Sequence, residues 1–127
     1  MRYQYNRQMM PPAPFVHVRV AAPTSQNAVE QLAAQLDSAA DRSVIPWVVV
    51  ETLRLPQLDE LPALGFGGHV VSVPTFLVEL TVRSCAPIAI EAFASRDEPY
   101  VLLGRDILNH FRILLDGPNL VLEMEQE

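Results

Sequence analysis

The chain has 127 residues, half of them hydrophobic, and a formal net charge of -6. A length of this order favours one domain, which buries about two-thirds of the surface its unfolded form exposes. The acidic balance argues against nonspecific nucleic-acid binding, which needs a basic face, and a single cysteine, Cys85, leaves no intrachain disulfide and no cysteine-built metal cluster.

Eleven prolines against five glycines foretell short, sharply bounded elements. Residues 1–14 ("MRYQYNRQMMPPAP") read as a flexible arm closed by prolines, with no apolar h-region of a secretory signal. "FVHVRVAAP" alternates Phe15, Val16, Val18 and Val20 with His17 and Arg19, the period of a strand. "PTSQN" is a turn, and a second strand runs from Val29 to Leu36 and stops at Asp37. "SVIPWVVVETLRL" is ambiguous. Its β-branched run favours a strand, but Ser43 as a cap and Pro46 at the first turn favour a short helix or turn, which we prefer. Two apolar arms then flank "GFGG", whose Gly65, Gly67 and Gly68 suit a hairpin tip needing positive φ. "TFLVELTV" and "PIAIEAFAS" are strands, and "RDEP" is a turn. "YVLLG" is a short apolar strand, "GRDILNHF" opens a helix after Gly104, and "RILLDGPNLVLEME" is a hairpin turning at "DGPN". Mostly strands with one clear short helix near the C-terminus means an all-β barrel or sandwich. No apolar run approaches the roughly 20 residues that span a bilayer, so no membrane partner and a cytoplasmic location are expected.

Several chemistries can be set aside. His17, His69 and His110 fall on a strand, a hairpin tip and a helix, without metal-ligand spacing, so no metal and no cofactor is expected. No glycine-rich phosphate loop opens a helix, and no G-x-S-x-G elbow is present. Carboxylates remain. Asp59, Glu60, Asp97, Glu98, Glu123, Glu125 and Glu127 read as turn or surface groups. Asp37 differs: in "QLDSAADRSVIP" it stands between apolar segments, followed by small residues that allow close approach of backbone or of a second chain. A carboxylate there must be hydrogen-bonded or paired. On this stretch alone an Asx turn that satisfies its own backbone is as good a reading as a catalyst.

Three ordered segments add to that reading. "LDSAADRSVIP" resembles the catalytic loop of the retropepsin-like (retroviral-type) aspartic proteases, usually Asp-Thr/Ser-Gly-Ala-Asp. "GFGGHVVSVPTFLVELTV" resembles their flap and the strand after it, and "VLLGRDILNHFRILLD" their Gly-Arg-Asn/Asp segment with its helix. Their order and spacing agree across residues 15–124. The resemblance implies a closed all-β barrel over residues 15–127 with one short C-terminal helix, acting as a homodimer because each chain carries one catalytic aspartate. It implies that Asp37, Ser38 and Ala39 form the catalytic loop, that two Asp37 carboxylates share a proton, and that Ser38 locks the two loops together. By the same resemblance Ala40 and Asp41, with Gly65, Phe66, Gly67 and Gly68 of the flap, bind an extended peptide or protein substrate. Arg105 supports the loop, paired with Asp41, and Gly104 packs beside it. Ala39 departs from the usual glycine: a negative φ accommodates its methyl group, and a positive φ would strain the loop. The implied activity is aspartic endopeptidase. The alternatives are a weak or inactive module of the same fold that dimerises or binds peptide, and an unrelated small ligand-binding barrel with "DSAAD" as a turn.

Overall fold

Period-two alternation decides which side chains fill the interior. In β2 (Phe15–Ala21) Val16, Val18 and Val20 are buried and His17 faces out, and in β7 (Ile88–Ser95) Ile88, Ile90, Ala92 and Ala94 point inward. In β6 (Val70–Val82) Phe76, Val78, Leu80 and Val82 do the same, with Leu77 outside. The computed structural model describes residues 1–65 and 67–126. Its remaining elements are β1 (Arg2–Gln4), β3 (Ala28–Leu36), β4 (Val44–Pro46), α1 (Trp47–Leu53), β5 (Asp59–Leu64), β8 (Val101–Leu103), α2 (Arg105–Leu108), β9 (Phe111–Asp116) and β10 (Val121–Gln126).

Seven strands pair in the order β2-β3-β8-β4-β7-β6-β5, and an additional β2–β6 pairing closes the first six into a barrel, with β5 flanking β6. This is the all-β closed barrel expected from the sequence, with the short helix α2 near the C-terminus. The β2–β3 ladder shifts register between Val18 and Val20, where Gln31 sits at φ 56°, so a bulge sharpens the bend of that corner. A second sheet, β1-β10-β9, turns Tyr3, Phe111, Leu122 and Met124 into the core of the barrel.

One local outcome differs from the sequence reading, and a second differs only in where a helix starts. Residues 1–14 are not a loose arm: Arg2, Tyr3 and Gln4 pair with Glu123, Leu122 and Val121 of β10, and Asn6 bridges to Ala13. Burial of Tyr3 and Ala13 holds the segment down, and three residues of strand are too few to give a readable period. The "WVVV" run forms the short helix preferred over a strand, with Val49, Val50 and Leu53 of α1 gaining burial in the core. Pro46 is the residue before that helix rather than its first, and Ser43 does not cap it.

Candidate active site

The site is built where β3 ends. β8 runs parallel to β3, with Ala34, Gln35 and Leu36 opposite Val101, Leu102 and Leu103, and Val44 of β4 meets Leu102 from the other side. The chain between β3 and β4 therefore has to loop over the end of β8. Asp37 is the first residue of that loop. Its backbone N–H donates to Leu103 O at 3.0 Å, and its half-buried side chain accepts from the Ala39 N–H through Oδ1 at 3.1 Å. Ala40 N–H closes the turn on Asp37 O at 3.2 Å. The Asx turn is thus present, and it fixes the carboxylate with one oxygen left free of protein donors among the described residues.

The loop is clamped from beneath by the Gly-Arg-Asp triplet. Arg105 N–H donates to Ala40 O at 2.8 Å, and the Arg105 guanidinium to Ser38 O, also at 2.8 Å. Gly104 allows the contact: a Cβ there would lie 2.7 Å from the Arg42 carbonyl carbon and 3.0 Å from Ala40 O. Ser43 is fully buried; its hydroxyl donates to Asp106 Oδ1 at 2.6 Å and accepts from Gly104 N–H at 2.9 Å. Both Asp106 oxygens also take the Ser43 N–H, at 3.1 and 2.9 Å. A short buried network of this kind leaves each member satisfied and holds one geometry.

The sequence reading placed Arg105 beside Asp41. Among the described residues no such ion pair exists: Arg105 serves the Ser38 carbonyl, and Asp41 is exposed. A backbone carbonyl is invisible to residue-type reasoning, so the acid was the apparent partner. Ser43 and Asp106 were missed as functional support, although "GRD" carries the aspartate next to the recognised arginine. Ala39 is not among the non-glycine residues at positive φ (Gln31, Arg54, Arg83 and Leu120), so its methyl group introduces no left-handed strain.

Above the loop lies a cleft of about 700 Å³ lined by Ala39, Ala40, Asp41 and Arg42, by Leu61 to Leu64 of β5, and by Val44, Phe93 and Arg105. The β5–β6 hairpin forms its far wall. Its tip turns through Gly67 at φ 88° and Gly68 at φ 81°, a region that admits glycine without cost, and Gly65 N–H bonds His69 O at 2.9 Å. Phe66, expected in the same tip, lies outside the described residues. Leu64, Val70 and Val71 beside it are exposed apolar residues. A cleft walled on one side by a β-strand, β5, suits an extended chain, which can pair with it.

No protein-family model matches the chain, and no curated protein matches it in sequence. Solved structures do. EIAV protease in complex with the inhibitor HBY-793 superposes with a TM-score of 0.51 at 25% identity, over 84% of this chain and 92% of that one. A retropepsin-like aspartic protease from Rickettsia conorii gives a TM-score of 0.63 at 11% identity, over 98% and 89%. The retroviral protease-like domain of Ddi1 from Leishmania major gives 0.52 at 13%, over 87% and 88%. The chain has the retropepsin-like fold.

Proposed function

We propose that the protein is an aspartic endopeptidase whose active site forms between two copies of this chain. The observation that carries the reading is the Asp37 loop: a carboxylate oriented by its own turn, on a loop clamped by Gly104, Arg105 and Asp106, with the next residues lining a peptide-sized cleft. One chain supplies one such carboxylate. Two brought together across a twofold axis cannot both ionise easily, so they hold one proton between them. The ionised member takes a proton from a water molecule, whose oxygen attacks the peptide carbonyl carbon. The protonated member donates to the carbonyl oxygen. Collapse of the tetrahedral intermediate breaks the C–N bond and sends a proton to the departing nitrogen. Ser38, exposed beside Asp37, ties the two loops; Ala40 and Asp41 meet the substrate backbone. The glycine-tipped hairpin acts as a flap that closes over the peptide and excludes water.

The second reading is a peptide-binding dimer of the same fold that does not cleave, and one observation favours it: the Ala39 methyl group lines the cleft where the family usually has only a glycine. Cleavage of a peptide library at mildly acidic pH separates the two. We expect processing by the wild type and loss of at least about a thousandfold in kcat for Asp37→Asn, on the scale of removing an acid–base group in concert with its partner. Cleavage that persists in Asp37→Asn removes Asp37 from the chemistry, and binding without cleavage by the wild type selects the second reading.

A further inference from the structure

The Arg42 side chain lines the cleft and is used by neither the turn nor the clamp. Its Nη1 donates to Glu91 O at 2.8 Å and stands 3.5 Å from Glu91 Oε1, while the guanidinium carbon lies 5.4 Å from the centre of the Phe93 ring. Glu91 is itself held, its other oxygen accepting the hydroxyl of the fully buried Thr75 at 2.7 Å. This chain of contacts fixes the guanidinium without consuming it: Nε and Nη2 make no hydrogen bond among the described residues, and about a third of the side chain remains exposed on the cleft wall. A positioned arginine with two free N–H groups pairs best with a carboxylate, which it can grip through both oxygens. The cleft lining carries two guanidinium groups, Arg42 and Arg105, and one carboxylate, Asp41, with the Glu91 carboxylate beside Arg42 offsetting part of its charge. A guanidinium on a cleft wall attracts an anionic group more strongly than the same charge on an open surface.

We infer that Arg42 is a specificity-determining residue that selects an acidic side chain in the bound peptide. The inference rests on the proposed peptide-binding cleft, and it has a consequence peculiar to a twofold site. Each copy brings its own Arg42, so acidic residues are favoured on both sides of the scissile bond, at matching distances. Alternation of side chains along an extended peptide confines the preference to positions that point toward the Arg42 wall.

The test is binding rather than turnover. Octapeptides with a central Leu-Phe pair, capped at both ends so that no terminal carboxylate competes, carry Glu or its uncharged isostere Gln at each outer position in turn. Their affinities are measured by fluorescence anisotropy for the Asp37→Asn protein, which binds without cutting. The Glu peptide is expected to bind about tenfold more tightly than its Gln twin at one position on each side, a gain of the size expected of a charge-assisted pair, and to lose that advantage at high salt. Removing Arg42 alone strands the Glu91 carboxylate, so the double variant Arg42→Gln, Glu91→Gln is used alongside Arg42→Gln; in both the Glu and Gln peptides bind alike. No tighter binding of any Glu peptide, or a Glu preference that survives both variants, overturns the inference. Cutting of the same peptides by the wild type is a separate readout: its absence counts against the protease and leaves the acid selection standing.

Discussion

At the scale of single residues, Gly104 carries more of the site than its lack of a side chain suggests. It is needed for space and not for conformation, since its φ is -82°, which any residue adopts. The loop that carries Asp37 is drawn so close to it that an added Cβ meets backbone atoms at 2.7–3.0 Å, and backbone cannot swing aside as a side chain can. Gly104→Ala should therefore cost about 1–3 kcal/mol by overpacking, read from denaturant unfolding, and should lower peptide cleavage beyond what partial unfolding explains because the loop is displaced. An unchanged midpoint and unchanged cleavage would show that the loop is not anchored there. Ser43 and Asp106 belong to the same anchor, and their roles follow from position in three dimensions: 63 residues separate them, yet four polar atoms meet within 3.1 Å.

At the scale of elements, β9 is the conspicuous strand. It pairs with β10 alone among the described residues, and its free edge carries Leu114 and Leu115, each more than half exposed. Exposed edges of this kind recruit other strands unless they are blocked. β9 follows α2, whose first residue grips the Asp37 loop, and this edge is the predicted seam of the proposed dimer. The double variant Leu114→Asp, Leu115→Asp is expected to sediment as a monomer and to lose cleavage while keeping the strand content of the wild type by circular dichroism; a dimer of undiminished affinity would place the seam elsewhere. Much of the elements was legible in the sequence. Alternation marked β2, β6 and β7, the glycines marked the β5–β6 tip, and "DGPN" marked the turn before β10. The short helix α1 was preferred over a strand, and only its start differs, since Pro46 precedes it and Ser43 does not cap it; β1 was not legible, because it depends on a partner strand more than a hundred residues away. The site divided in the same way. Asp37 and the Gly-Arg-Asp triplet stood out as motifs, whereas the Arg105 bond to the Ser38 carbonyl and the Arg42–Glu91–Thr75 chain depend on which strands become neighbours.

At the scale of the whole molecule, the proposed mechanism makes one barrel, with its one Asp37 loop, half of a catalytic apparatus. A shared dyad requires each active site to draw one Asp37 from each of two chains. Mixing wild-type protein with Asp37→Asn at constant total concentration, after allowing subunits to exchange, measures this directly. If both carboxylates are required, only wild-type pairs cleave, and activity falls as the square of the wild-type fraction. A linear fall, with each wild-type chain keeping its full activity whatever its partner, would contradict a shared dyad.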